Sequence, residues 1–244
     1  MRFRAVIFDI YKTILEVGPA PPDREDKWQA LARSRFGAPP RLALAEFATA
    51  CDRVIAREHA LARAAGIPHP EIFWPDVVSE VIPELESLQP HEQAEVLYHQ
   101  QTLFRTVRLM PGAGDVLRLV RDSGVLTGIA SNAQPYTLRE VSQAFAGEGL
   151  SLQGFRPELC FWSFEHGFSK PDPHVFRLLT ARLRMAGVKA EETLMVGDRF
   201  DNDIAPAVAQ QWKTWQLGAS LQSEDGGDWR RLGEFLESGE DNGA

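Results

Sequence analysis

Cysteine is scarce in this chain of 244 residues: only Cys51 and Cys160 occur, far apart. With no C-x-x-C pair, a thiolate zinc site is not expected, and both side chains read as free thiols of a reducing cytosol. Basic charge is also short. Lys and Arg number 26 against 34 Asp and Glu, a net charge of -8. That leaves no basic footprint for nucleic acid, which is not an expected partner. Long apolar runs are absent too. Arg2 and Arg4 precede an apolar stretch, but Asp9 cuts it short, so the start reads neither as a signal peptide nor as a membrane span. Internal repeats and coiled-coil heptads are missing. What remains is ordinary: 44% hydrophobic and 25% charged residues, the balance of a globular protein. The length suits one large domain, or a core with an inserted second one. A cytoplasmic chain, monomeric or homodimeric, is the expectation.

The stretch "AVIFDIYKTIL", residues 5–15, poses the first question. Ala5-Val6-Ile7-Phe8 is a continuous apolar run, as in a strand buried on both faces of a parallel sheet. It runs directly into a carboxylate. After the Pro-rich connector "GPAPPD", residues 16–108 carry helical apolar spacing in four segments, with no strand predicted. From Leu109 onward strands and helices alternate. Strands are predicted at "VLTGIASN", "LCFWSFE", "TLMVGD" and "KTWQLG", with helices between them. Alternation of this kind implies right-handed crossovers and a Rossmann-like α/β core with a parallel sheet and helices on both faces. The helical block interrupts that sheet after its first strand. The expected organisation is therefore a core of residues 1–15 and 109–244 with an all-helical cap of residues 16–108. The tail from Ser220, polar and Gly-rich apart from "DWRRLGEFLES", is expected at the edge with little functional weight.

Sites in open parallel sheets form at the carboxyl ends of strands. Three predicted strands end in chemistry: at Asp9, at Ser131-Asn132 and at Asp198. A fourth element, "FSKPDP", supplies Lys170. Each alone has a bland alternative, such as a cap, a turn or a solvated charge. Their order is more specific. Asp9, Thr13, Ser131, Lys170 and "GDRFDND" together resemble the haloacid dehalogenase-like hydrolase superfamily. "SFEHGFSKPDPHVF" and "VGDRFDNDIAPAV" are similar to its branch with a helical cap after the first motif. A dinucleotide-binding fold is the rival, but "PGAGDVL" is not a G-x-G-x-x-G following a strand.

The resemblance implies that Asp9 is the nucleophile, forming a covalent aspartyl intermediate, with Thr13 orienting it. Ser131 and the backbone N–H of Asn132 would hold the oxygens of the transferring group, and Lys170 would neutralise charge. Asp198 would bind a metal with Asp9 and the backbone carbonyl of Tyr11, supported by Asp203, with Asp201 pointing elsewhere. Mg²⁺ is the hard cation such oxygen ligands suit. Electrostatics point the same way: two carboxylates about 4 Å apart repel by about 4 kcal/mol at an effective dielectric of 20. A small anionic substrate is the implied partner.

Tyr11 is the departure. Phosphatases of the resembled family carry a second Asp there, which protonates the leaving oxygen and then activates water. A phenol is a poor base at neutral pH. Tyrosine at this place resembles the dehalogenases, whose halide leaves without a proton and which need no metal. Yet Gly197-Asp198 and Asp203 are phosphatase-like. Lys12 replaces a glycine that is often next in line. Three readings stay open: Mg²⁺-dependent phosphoryl chemistry, 2-haloacid dehalogenation, and phospho-ligand binding without turnover. The substrate arginine of the dehalogenases has only Arg24 and Arg33 as unsupported candidates. In the cap, His59, His69, Trp74, Tyr98 and His99 are polar-aromatic candidates, each with packing as its bland alternative. "PHPEIFWPD" is the stretch expected to reach the core cleft.

Overall fold

A computed structural model describes residues 3–218, 221–223 and 225–238. The first strand, β1 (Ala5–Phe8), is fully buried. Its alternation explains how it sits mid-sheet: Val6 and Phe8 enter one apolar cluster, Ala5 and Ile7 another on the opposite face. In chain order follow β2 (Leu15–Gly18), α1 (Arg24–Phe36), α2 (Leu44–Ala64), α3 (Trp74–Val81), α4 (Pro90–Gln101) and β3 (Thr106–Leu109). Then come α5 (Ala113–Asp122), β4 (Leu126–Ser131), α6 (Pro135–Phe145), β5 (Cys160–Trp162), α7 (Pro173–Met185) and β6 (Thr193–Gly197). The described chain closes with α8 (Ala205–Val208), β7 (Lys213–Leu217), β8 (Gly226–Gly227) and α9 (Trp229–Ser238).

The main sheet has six strands in the order β5-β4-β1-β6-β7-β8, and every pairing in it is parallel. Helices α5, α6 and α9 bury Val116, Val141 and Leu232 on one face, and α7 buries Phe176 and Leu179 on the other. The expected α/β core is thus present.

One expectation needs correction. Residues 16–108 are not strand-free, because β2 and β3 pair antiparallel, Leu15 opposite Leu109 and Gly18 opposite Thr106. Each strand is only four residues long and lies where the chain leaves and re-enters the core. A pair this short shows no periodicity until its distant partner is known. Between them the helices build their own apolar cluster around Trp28, Phe47, Val78 and Leu103. The tail supplies β8, the edge strand of the sheet, as expected, and its helix is firmly packed. Helix α9 packs on the core: Trp229 is buried, stacks on Phe8 at 5.9 Å and donates from Nε1 to the Thr13 carbonyl at 3.1 Å.

Candidate active site

The sheet order carries β1, β4 and β6 side by side, so their carboxyl ends bring Asp9, Ser131 and Asp198 together. Asp9 is the first residue past β1, its N–H donating to the Val196 carbonyl at 2.9 Å. Lys170 comes from the loop before α7. Its Nζ donates to Asp9 Oδ1 at 2.7 Å and to Asp203 Oδ1 at 2.5 Å. Both Lys170 and Asp203 side chains are 2% exposed, and that of Asp9 is 10% exposed. Burial of this depth requires pairing of charge. Asn132 sets the height of the lysine: its Nδ2 donates to the Lys170 carbonyl, and its Oδ1 accepts from the Lys170 N–H at 2.8 Å.

Asp203 is fixed at both oxygens, Oδ2 accepting from the Arg199 N–H at 3.0 Å. A Cβ on Gly197 would meet the Asp203 carboxyl at 2.5 Å, so only glycine leaves it room. Asp201, by contrast, is exposed and pairs with Arg199 at 2.5 Å. One carboxylate oxygen each from Asp9, Asp198 and Asp203 lie within 4.8 Å of one another. Burial pushes the Asp9 carboxyl up to about 7, against the pull of Lys170 and with Asp203 and Asp198 adding to the rise. Asp198 is likewise raised, by burial and then by Asp203. Burial alone would lower Lys170, but Asp203 and Asp9 outweigh it and keep the ammonium charged. The buried Lys170 ammonium thus pairs with two of the three carboxylates and leaves Asp198 without a direct ion pair to it. Such a donor set fits a hard divalent cation with oxygen ligands.

Among the described residues, two buried hydroxyls have no hydrogen-bond partner, Thr13 Oγ1 and Ser131 Oγ. Buried hydroxyls are normally satisfied, so an unpaired pair in the loops that follow β1 and β4 suits an anion that accepts from both.

The side chain of Tyr11 is occupied elsewhere. Its hydroxyl hydrogen-bonds Glu140 Oε2 at 2.5 Å, receives Arg105 Nη2 at 2.7 Å and lies 2.7 Å from Thr137 Oγ1. The Arg105 guanidinium covers the ring at 4.3 Å. Burial above all, and the Glu140 charge, hold the phenol protonated far above its ordinary range. Lys12 then adopts φ 61°, the left-handed conformation glycine takes freely, at a cost of about 1–3 kcal/mol.

Arg24 and Arg33, the sequence candidates for a substrate arginine, are exposed on α1. Arg105 meets the nucleophile loop instead. No sequence motif marked it, because its contacts to Tyr11 and Glu140 span 94 and 35 positions. The cap candidates also separate. His99 is half-buried beside Glu95, and His59 lines a cavity of about 370 Å³ within the helical block. Tyr98 hydrogen-bonds Gln143 of the core. The "PHPEIFWPD" stretch does reach the core loops: Ser169 N–H donates to the His69 carbonyl at 2.9 Å and Glu71 N–H to the Gly167 carbonyl at 3.0 Å. Glu71 also accepts from Ser163 Oγ at 2.6 Å, and Gln134 Oε1 accepts from the Trp74 N–H at 2.8 Å.

Among curated proteins, the chain is 33% identical over 121 residues to a glyceraldehyde 3-phosphate phosphatase of Pyrococcus furiosus, covering 50% of this chain and 47% of that protein. It therefore spans about half the length of that relative. Among solved structures, a 2-haloacid dehalogenase from Pseudomonas syringae pv. Tomato superposes with a TM-score of 0.60 at 19% identity, covering 97% of this chain and 99% of the other. A HAD phosphatase from Thermococcus onnurineus gives 0.55 at 22% identity, covering 96% and 97%. These likenesses establish the shared fold. The profile of the haloacid dehalogenase-like hydrolases matches residues 3–209; the chain belongs to this family of hydrolytic enzymes.

Proposed function

We propose that the protein is a Mg²⁺-assisted phosphatase acting on a small organic phosphate, with Asp9 as nucleophile. The observation that supports this most is the meeting of Asp9, Asp198 and Asp203 around Lys170. A metal held by Asp9, Asp198 and the Tyr11 carbonyl, with Asp203 behind them, would offset the negative charge that otherwise repels an incoming phosphate. A carboxylate oxygen of Asp9 attacks phosphorus, the bond to the ester oxygen breaks, and an aspartyl phosphate forms. Ser131 Oγ, the Asn132 N–H, Thr13 Oγ1 and Lys170 Nζ bind the phosphoryl oxygens and Asp9. Water then attacks phosphorus, freeing phosphate and Asp9. Because the Tyr11 phenol is engaged with Glu140 and Arg105, the leaving oxygen takes its proton from water. We further propose that residues 16–108 act as a cap over a core of residues 1–15 and 109–244, with β2 and β3 as the hinge. The action named for the Pyrococcus relative, on glyceraldehyde 3-phosphate, falls within this substrate class.

Dehalogenation of a 2-haloacid is the second reading, favoured by the same withdrawn Tyr11. A halide leaves without a proton, so an absent acid would cost nothing. The two readings part in one assay pair. Acetyl phosphate, whose leaving group needs little protonation, is expected to be hydrolysed with Mg²⁺, and Asp9→Asn is expected to abolish this. Halide release from 2-chloropropionate without metal, in place of phosphate release, would overturn the phosphatase reading.

A further inference from the structure

We propose that Gln100, on α4, is a specificity-determining residue whose side-chain N–H reads an uncharged oxygen, a hydroxyl or carbonyl, on the substrate's tail. The inference rests on the phosphatase reading above. Gln100 is 1% exposed, deep among apolar neighbours where a carboxamide is rare. Its orientation is fixed by chemistry. The indole Nε1 of Trp74 donates to Gln100 Oε1 at 3.0 Å. An indole N–H can only donate, so the amide oxygen must face it. Gln101 Nε2 approaches the same oxygen at 3.3 Å. The Gln100 Nε2 group is therefore turned away from both, and it has no partner among the described residues.

Its position gives that unpaired donor a meaning. Trp74 also donates its backbone N–H to Gln134, three residues beyond Ser131. Further along the same segment as α4, Arg105 meets Tyr11, two residues beyond Asp9. The amide thus belongs to the seam between the helical block and the two strand ends that carry the nucleophile and the phosphoryl-binding serine. Gln100 Nε2 shares its condition with Thr13 Oγ1 and Ser131 Oγ: all are buried and unpaired. A cavity of about 330 Å³ lies along the seam with Trp74, Leu97 and Tyr136 among its walls, and Gln100 stands behind that wall, bonded to Trp74.

Charge narrows the ligand. Arg105 is paired with Glu140 at 3.0 Å and Arg139 with Glu95 at 2.5 Å. The charge of each arginine is thus matched by a carboxylate, although Arg105 Nε has no hydrogen-bond partner among the described residues. An amide donor in that setting suits a neutral oxygen, as on a polyol or triose phosphate.

The test compares glycerol 3-phosphate with n-propyl phosphate, which share three carbons and a phosphate and differ only in tail hydroxyls. The wild type is expected to prefer glycerol 3-phosphate by about tenfold in kcat/KM, the scale of one hydrogen bond to a buried donor. Gln100→Glu keeps an oxygen for Trp74 but removes the donor, and Gln100→Met keeps the shape without either. In whichever of the two folds, as judged by circular dichroism, the ratio is expected to fall towards one, through a rise in KM for glycerol 3-phosphate. A wild type without preference, or a ratio unchanged in the variants, overturns the proposal. If the wild type hydrolyses neither compound, turnover of acetyl phosphate decides the phosphatase reading, and calorimetry on Asp9→Asn decides the amide's role separately. Tighter binding of glycerol 3-phosphate that is lost in Asp9→Asn/Gln100→Glu upholds it. Equal binding of both compounds, or binding of neither, overturns it.

Discussion

At the scale of single residues, Tyr11 shows how a position can keep one function and lose another. Its main-chain carbonyl is available to a metal whatever the side chain. The phenol is committed to Glu140, Arg105 and Thr137, and a group protonated so far above neutral pH accepts no proton from water. Restoring a carboxylate by Tyr11→Asp would place it beside the guanidinium that now covers the ring. That cation would hold the new carboxyl below its usual range and weaken it as an acid. General acid–base catalysis is worth about 10² to 10⁴ in rate. The expected gain on glycerol 3-phosphate is therefore no more than about tenfold, with a lower melting temperature because Glu140 loses its phenolic donor. Steady-state rates in saturating Mg²⁺ check this. A gain near 10³ would mean that Arg105 does not restrain position 11.

At the scale of elements, α9 does more than close the edge of the sheet. Trp229 covers Phe8, the residue before Asp9, and its indole N–H satisfies the carbonyl of Thr13. The loop from Asp9 to Thr13 is thereby held from below by a helix 216 positions away. Trp229→Ala should cost about 3–5 kcal/mol in urea unfolding, the range for losing a large buried aromatic. Trp229→Phe keeps the ring and should cost about 1 kcal/mol for the lost hydrogen bond. An alanine variant as stable as the wild type would refute a supporting role for α9.

At the scale of the whole molecule, Glu71 ties the helical block to the core, with Ser163 and Gln134 donating to it. Burial raises its carboxyl above the ordinary 4.5, despite the lowering by Ser163, Ile72 and Gln134. Below pH 4.5 folded and unfolded chains both keep this proton. Above it the unfolded chain releases the proton first, so the folded state loses stability as pH rises to the folded pKa. Glu71→Gln has no such proton to lose. The melting temperature of the variant relative to the wild type should climb from pH 4.5 and then level off. Glu80 and His59 line the same cavity as Glu71 and are present in both proteins, so they cancel in the difference. A difference that stays constant with pH would show that Glu71 titrates alike folded and unfolded.

The sequence by itself determined the parallel core and the identity of the clustered side chains. Asp9, Ser131 and Asp198 each end a short apolar run, and a run buried on both faces is readable without its partners because local hydrophobicity alone marks it. Lys170 was legible as well, through the "FSKPDP" motif. The tertiary structure decided everything that depends on distant pairing. The strands β2 and β3 exist only through each other, 88 to 94 positions apart by their register from Gly18–Thr106 to Leu15–Leu109. Arg105 and Glu140 are unremarkable charges until the fold closes them on Tyr11. Trp229, in the short helix of the tail, and Gln100, on α4, carry no local signal of a role; burial gave the one a partner and left the amide nitrogen of the other without one. Local pattern fixes which residues end the strands; only packing fixes which charges are neutralised and which donors are left unpaired.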